Sequence, residues 1–207
     1  MYDGDGQGRR EERPNSELFA AAAEIRREAD VLLAASGALL VLGQVGEVHF
    51  VGGYAMDVMV HRDIDLYVID AAGAPDLERV LATQAALIRL RFFRAVLFYD
   101  FVRFPRAGFP AAHYLGLKAP FGTGDAHGPG EWKIDIWFLP AMPDEAERLI
   151  EAVRGLDVER KGLILRIKHA LMAAHIEVPS VRVYEAVLAG VVGSVDEFFA
   201  YVGIRGR

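Results

Sequence analysis

Alternating apolar and charged positions predict two strands that carry acidic side chains on one face. Segment 63–66 reads Asp-Ile-Asp-Leu, and segment 133–136 reads Lys-Ile-Asp-Ile. Side chains of an extended strand alternate between the two faces of its sheet. Asp63 and Asp65 should therefore project together while their apolar neighbours are buried. We expect Asp135 to lie on the corresponding face of the later strand.

Residues 15–140 combine this strand pattern with apolar residues at helical spacing. The helical spacing predicts helices over 15–36, 54–60 and 75–90. The two aspartate-bearing strands are predicted to span 63 to about 70 and 131–139. The other predicted strands cover 47–51, 94–104 and 112–118. A glycine-rich stretch, 122–130, predicts a flexible hairpin tip between the last two strands. The pattern indicates an α+β fold with a mixed β-sheet flanked by helices.

The pattern becomes helical throughout after residue 140. We predict helices over 143–155, 157–176 and 181–201, the last of them interrupted near Gly193-Ser194. The first 14 residues are rich in glycine and charge, which is typical of a disordered tail. The predicted organisation is a tail (1–14), a domain that carries the three aspartates (15–140) and a C-terminal helical region (141–207).

Composition narrows the classes of function. Of the 207 residues 53% are hydrophobic and 25% charged, as in an ordinary globular protein. The formal net charge of −6 argues against broad, sequence-independent binding of nucleic acid, which relies on Lys and Arg. Nucleic acid is thus a less favoured partner than a small molecule. The chain has no cysteine, which excludes disulfides, thiolate nucleophiles and cysteine-ligated zinc.

The sequence gives no sign of a membrane-spanning segment. Its most apolar early run, from Val31 to Gly43, is shorter than the roughly 20 residues that a membrane span needs. It also lacks the layout of a signal peptide. We therefore expect a soluble cytoplasmic protein with no membrane partner, while the pattern gives no indication of oligomeric state.

Three carboxylates on one rim of a sheet indicate a site for metal ions. They repel one another unless cations lie between them, and ligands that offer only oxygen suit Mg²⁺ that also holds substrate phosphates. Asp63 and Asp65 can bridge two such ions. Asp135 would complete the set and accept the proton of an attacking hydroxyl. The alternative for Asp135 is a simple ion pair with Lys133.

A glycine pair, Gly52-Gly53, precedes the first aspartate strand. A glycine turn that opens a helix leaves backbone N–H groups free to hold phosphate oxygens, and a side chain there would block close approach. Arg62 is the nearest candidate cation for a triphosphate. The pair could equally be only a turn.

These residues together resemble the nucleotidyltransferase superfamily that includes DNA polymerase beta. The signature is Val51-Gly52-Gly53, nine intervening residues, then Asp-Ile-Asp-Leu from Asp63. The sequence from Gly52 to Asp57 is most similar to that of the lincosamide and aminoglycoside nucleotidyltransferases. The resemblance implies two Mg²⁺ ions held by Asp63, Asp65 and Asp135.

The same resemblance implies roles for residues outside the acidic strands. Gly52 and Gly53 would lie at the triphosphate. Lys168 is a candidate triphosphate contact, because superfamily members often place a lysine on a helix after the third carboxylate. Its alternative is a side chain whose stem packs on apolar surface with its charge in water.

The expected function is transfer of a nucleoside monophosphate from a nucleoside triphosphate, ATP first, to a hydroxyl of a small-molecule acceptor, with release of pyrophosphate. Three alternatives remain open: a toxin-type or minimal enzyme that modifies tRNA or protein, a catalytically inactive nucleotide-binding regulatory domain, and a glycosyltransferase. Candidate acceptor contacts, which could equally be packing residues, are Tyr99, Arg103, Tyr114 and His127.

Overall fold

A computed structural model describes residues 14–70, 72–73, 76–120 and 131–204. The predicted tail lies outside the described residues apart from Pro14, and so does the predicted hairpin tip at 122–130.

Five strands form one mixed sheet, as the sequence predicted. The strands are β1 (Glu47–Val51), β2 (Asp63–Ile69), β3 (Ala95–Asp100), β4 (His113–Pro120) and β5 (Glu131–Leu139). Their order across the sheet is β1-β2-β5-β4-β3. Only β2 and β5 are parallel to each other, while the remaining pairs are antiparallel. The two aspartate strands are therefore direct neighbours at the centre of the sheet.

Helices precede, interrupt and follow the strands. The helices are α1 (Asn15–Ser36), α2 (Ala38–Leu42), α3 (Gly52–Ala55), α4 (Leu77–Arg89), α5 (Asp144–Arg154), α6 (Val158–Ala173), α7 (Ser180–Leu188) and α8 (Val195–Tyr201). Three of them begin at a side-chain cap, because Asp76, Asp157 and Ser194 each accept a hydrogen bond from the backbone N–H three residues on. The predicted break before α8 is confirmed. The predicted helix over 54–60 is wrong in extent, since α3 begins at the glycine pair and ends at Ala55.

The sheet separates two hydrophobic cores. The apolar face of the sheet packs against α2, α4 and the second half of α1, which contributes Ile25, Ala29 and Leu32. The second core combines Leu18 and Ala22 of α1 with the helices α5 to α8 and with residues around α3. Helix α1 thus belongs to both cores, and the C-terminal helices are packed against residues that begin the predicted 15–140 domain.

Among the described helices, none is long and apolar enough to cross a membrane.

Candidate active site

The strand register brings the three predicted aspartates together. Asp65 of β2 is paired directly with Asp135 of β5, and Asp63 is paired with Lys133. One carboxylate oxygen from each aspartate lies within 4.8 Å of the others. Parallel pairing of β2 and β5 is what produces this cluster, because it aligns the two acidic segments in the same direction. We call these three residues the acidic triad.

Burial and mutual repulsion make the acidic triad hard to ionise fully. Burial, followed by the repulsion of Asp65, raises the pKa of Asp63 to about 7. Burial, followed by the repulsion of Asp135, raises the pKa of Asp65 to about 6. Such shifts arise where carboxylates share a site with too little positive charge. A divalent cation would supply that charge.

Asp135 already has two partners. The Lys133 ammonium lies 2.5 Å from its Oδ2 and 3.7 Å from Asp63 Oδ2. The Tyr114 hydroxyl donates a hydrogen bond of 2.6 Å to Asp135 Oδ1. Asp135 therefore forms the ion pair with Lys133 and also belongs to the acidic triad, so the two alternatives do not exclude each other.

A buried oxygen of the acidic triad has no hydrogen-bond partner in the part of the chain that the structure describes. Among the residues that the structure describes, no hydrogen-bond donor reaches the buried Asp63 Oδ1. A buried, unpaired carboxylate oxygen is costly unless a cation or an unseen donor satisfies it. Oxygen ligands of this kind are those that Mg²⁺ prefers. The donor set and the unpaired oxygen together fit divalent metal ions.

The glycine turn is shaped around Asp65. Gly52 has a φ of +59°, and a Cβ built there would lie 2.1 Å from Asp65 Oδ2. Any other residue would meet both a strained backbone and this carboxylate. Two side chains hold the turn in place from the helical region, since Arg154 donates to the Ala55 carbonyl and Lys168 to that of Val58. The glycine at 52 is required by the site as well as by the turn.

Lys168 reaches the same turn from α6. Its residue is only 6% exposed, and its ammonium donates hydrogen bonds to the Val58 carbonyl at 2.7 Å and the Tyr184 hydroxyl at 3.2 Å. A Cβ on Gly53 would lie 3.3 Å from Lys168 Nζ. The alternative that placed this charge in bulk water is wrong. The structure instead places a buried cation beside the glycine pair.

Arg62 does not join the predicted set. Its guanidinium is bound to Glu28 of α1 by two hydrogen bonds, Nε to Oε2 at 2.8 Å and a terminal nitrogen to Oε1 at 3.1 Å. The side chain is 4% exposed. Bidentate pairing of this kind fixes a guanidinium firmly. We therefore correct the prediction that Arg62 contacts a triphosphate, because its side chain ties β2 to α1.

A pocket of ≈ 600 Å³ opens between the sheet and the C-terminal helices. Its lining includes Asp63, Asp65, Gly52, Gly53 and Lys168. Residues from α5 and α7 close the far side, among them Leu149, Ile150, Tyr184 and Glu185. Its size and mixed lining are typical of small-molecule sites. Both predicted glycines, the predicted lysine and two of the three aspartates thus face one cavity.

Several residues at this site were not assigned to it from sequence. His61 lines the pocket, and burial followed by the charge of Lys168 lowers its pKa, which favours the neutral ring. Tyr184 holds Lys168, and Tyr67 and Trp137 line the pocket beside the aspartates. The positions of Tyr67 and Trp137 beside the aspartates could be predicted from the sequence, since each follows an aspartate by two residues and so lies on the same face of its strand.

Comparison with known proteins identifies the fold. No protein-family model and no curated protein matches the sequence. Solved structures do match. A cytoplasmic RNA terminal U-transferase is similar with 20% identity and a TM-score of 0.55, covering 86% of this chain and 56% of that chain. A poly(U) polymerase, Cid1, bound to MgATP is similar with 19% identity and a TM-score of 0.58, covering 86% of this chain and 55% of that chain.

At these identities the similarity establishes the fold. The chain has the α+β nucleotidyltransferase fold that the sequence predicted. It spans a little more than half the length of the structures it matches. The narrower resemblance to lincosamide and aminoglycoside enzymes receives no support from these structures.

Proposed function

We propose that this protein is a metal-dependent nucleotidyltransferase. The observation that carries the proposal is the acidic triad, with the unpaired Asp63 Oδ1, at the edge of a pocket that also contains the glycine turn and a buried lysine. Asp63, Asp65 and Asp135 would hold two Mg²⁺ ions. When bound, such ions stabilise the charge on the attacking and leaving oxygens of phosphoryl transfer.

The pocket would bind the nucleoside triphosphate, with ATP as the first donor to test. Lys168 and the backbone N–H groups at Gly52 and Gly53 would hold phosphate oxygens, since cations and free N–H groups are the donors that phosphates need. The absence of a side chain at Gly52 leaves room for the Asp65 carboxylate against the turn. Apolar residues of α5 would exclude water from the far side of the pocket.

The reaction would exchange one phosphorus–oxygen bond for another. The acceptor hydroxyl attacks the α-phosphorus, a new oxygen–phosphorus bond forms, and the bond to the β-phosphate oxygen breaks, releasing pyrophosphate. Asp135 would take the hydroxyl proton. Lys133 and the Tyr114 hydroxyl, both bound to Asp135, would keep its carboxylate oriented towards the acceptor.

We place RNA ahead of a small molecule as the acceptor. The solved structures with this fold are described as an RNA terminal U-transferase and a poly(U) polymerase. The net charge of −6, which favoured a small molecule, describes the whole chain and says little about one surface. The RNA-modifying alternative therefore replaces the small-molecule acceptor as the main proposal.

The test is incubation of the protein with α-labelled ATP or UTP, Mg²⁺ and one acceptor at a time. The acceptors are a single-stranded RNA with a free 3′ hydroxyl, the same RNA with a 3′ phosphate, and a hydroxylated antibiotic. We expect label on the free RNA only, with equimolar pyrophosphate, and none after chelation of the metal or in Asp63→Asn. Tight binding of triphosphate without transfer to any acceptor would contradict the proposal and support an inactive regulatory domain.

A further inference from the structure

Four aromatic residues form a continuous row across the sheet beside the acidic triad. Tyr67 of β2 is paired with Trp137 of β5, Trp137 with Tyr114 of β4, and Tyr114 with Tyr99 of β3. Asp65 and Asp135 precede Tyr67 and Trp137 by two residues, so the rings lie on the same face as the carboxylates. We call these four residues the aromatic row. It crosses four strands, which is roughly 14 Å at the usual strand spacing.

The aromatic row is extended by two phenylalanines from the β3–β4 connection. Phe101 and Phe109 are stacked at 5.3 Å with an interplanar angle of 4°, and Phe101 lies 5.4 Å from Trp137 at 24°. Tyr99 stacks on Phe101 at 5.7 Å and 12°. Such near-parallel rings form one stacked cluster, and an exposed ring at the edge of the cluster offers a face on which another flat group can stack.

The outer part of this surface is open. Tyr99 is 51% exposed and Phe109 is 44% exposed. Exposed aromatic rings on an edge strand lower solubility. Exposed apolar patches of this kind usually mark a binding site.

Two arginines of the β3–β4 connection lie against phenylalanine rings, and one of these rings, Phe109, belongs to this surface. The Arg106 guanidinium lies 5.1 Å from the centroid of Phe109, and that of Arg103 lies 5.4 Å from the centroid of Phe104. Both arginines are exposed. Rings that stack on bases together with arginines that neutralise phosphates are the combination that binds unpaired nucleic acid. An apolar protein partner would use the rings but has no need of the guanidinium groups.

The aromatic row also meets the acidic triad directly. The Tyr114 hydroxyl donates to Asp135 Oδ1, and there is room for its ring because Gly116 has no side chain; a Cβ there would lie 2.7 Å from that hydroxyl oxygen. Tyr67 and Trp137 line the pocket, whereas Tyr114 and Tyr99 lie progressively farther along the sheet from β2. A chain lying on the row would thus end at the triad, opposite the proposed triphosphate.

We propose that the aromatic row binds the unpaired 3′-terminal nucleotides of a single-stranded nucleic acid and presents its last hydroxyl to the acidic triad. The inference rests on the proposed function, and it adds the surface that selects the acceptor. Bases stack on Tyr99 and Phe109 while Arg103 and Arg106 contact backbone phosphates. Stacking is tolerant of sequence, so the row favours unpaired ends over a particular base.

The first test compares two exposed tyrosines. Tyr201 of α8 is the control for Tyr99, since it is exposed to nearly the same extent, 49%, and has a guanidinium, that of Arg182, 5.8 Å from its ring centroid as Phe109 has that of Arg106. Binding is measured by fluorescence anisotropy with a 12-nucleotide RNA, the same sequence as DNA, and an RNA duplex with blunt ends. We expect Tyr99→Ala to weaken binding of the single strands about tenfold, in line with stacking on one base. Tyr201→Ala should leave it unchanged, and Tyr99→Phe should restore it.

A second variant guards against a local change in fold. If Tyr99→Ala lowers the melting temperature, Phe109→Ala from the neighbouring connection replaces it, with the same expected loss. In addition, Arg103→Gln and Arg106→Gln should each reduce the slope of log affinity against log salt by about 0.7, the value for one phosphate of a single strand. Equal affinity of Tyr99→Ala and Tyr201→Ala, or equal binding of single strand and duplex, would overturn the proposal.

The outcomes separate the two proposals. Transfer of nucleotide to some other acceptor, with no binding of single strands, would overturn the aromatic row and leave the nucleotidyltransferase standing. Binding of single strands with no transfer by the wild type would overturn the nucleotidyltransferase and leave the aromatic row as a binding surface. RNA and DNA arms that differ would show whether the acceptor's ribose is recognised as well as its bases.

Discussion

The two faces of the central sheet are built from alternating residues of the same strands, and they differ in almost every property. On one face Leu66 and Ile136 are fully buried against helices. On the other face their neighbours Asp65 and Asp135 form the acidic triad and remain partly exposed. A strand therefore supplies stability with one set of residues and the proposed chemistry with the next.

This separation makes a clear expectation possible. Substitutions on the apolar face should change the free energy of unfolding and leave the chemistry of folded molecules alone. Substitutions on the triad face should do the opposite, because a site that gathers repelling charges is held by the rest of the fold rather than contributing to it.

The largest effect is expected at Asp65. We expect Asp65→Asn to lower turnover by at least about a hundredfold, since even residues that only hydrogen-bond to a metal ligand are worth about 10- to 100-fold. Its melting temperature should not fall. Turnover is measured by pyrophosphate release, with Asp196→Asn on the surface of α8 as the matched control. Full activity in Asp65→Asn would break the assignment.

The opposite face gives the next largest effect. Ile136→Ala removes buried methyl groups and should cost about 2–5 kcal/mol of unfolding free energy, measured by urea denaturation. Val31, which is 56% exposed on α1, provides the control, and Val31→Ala should change little. Activity of Ile136→Ala per folded molecule should stay near that of the wild type. A large drop in turnover without loss of stability would blur the distinction between the faces.

Glycine 52 links backbone strain to the triad. Gly52 and Gly190 have φ values of +59° and +66°, but nothing lies within 4 Å of a Cβ on Gly190. Substitution by alanine should cost each variant roughly 1–2 kcal/mol through the left-handed backbone. Only Gly52→Ala should also lose transfer activity, because its new Cβ displaces Asp65. Equal activity in the two variants would show that Asp65 tolerates the displacement.

The smallest expected effect is a dependence of stability on pH. The pKa of Asp63 is raised in the folded protein, so the folded state binds more protons than the unfolded state, and metal-free stability should fall as pH rises from about 4 to about 7. Partial exposure keeps the effect on the order of 1 kcal/mol, or about 2–4 °C in melting temperature. We expect Asp63→Asn to melt higher than the wild type at pH 8 and equally at pH 4.

Added Mg²⁺ provides the control for this prediction. It should raise the melting temperature of the wild type at pH 8 and do so less in Asp63→Asn, because binding to the folded state alone stabilises it. A difference between the two proteins that is the same at every pH would show that the triad's charge is not its cause.

The pattern of apolar and polar residues predicted much of the fold, because most helices and strands begin and end at residues that are close in the sequence. The bounds of β1 and β5 were predicted correctly, since the alternation is clear in both strands, Gly46 and Gly52 flank β1, and Pro140 follows β5. The predicted end of β3 at residue 104 was wrong. Asp100 accepts a hydrogen bond from the Arg103 N–H and turns the chain away from the sheet. A single aspartate therefore outweighed an aromatic run that is typical of strands.

The site shows where local pattern stops being sufficient. The spacing of Asp63 and Asp65 follows from one strand, but their meeting with Asp135 depends on which strands become neighbours. Arg62 was misassigned for the same reason, since Glu28 lies 34 residues earlier in the chain. The contact of Tyr114 with the space above Gly116 could be predicted from the sequence, because residues two apart on a strand share a face and the glycine has no side chain.

Lys133 has a consequence for how this protein would respond to its surroundings. Burial lowers its pKa, but the attraction of Asp63 and Asp135 outweighs that effect and keeps the ammonium charged. A tethered cation therefore already offsets part of the charge that an incoming ion would neutralise. Any divalent ion must compete with a counter-ion that never diffuses away. Loading of the acidic triad should consequently require a higher concentration of Mg²⁺ than it would if position 133 carried no charge.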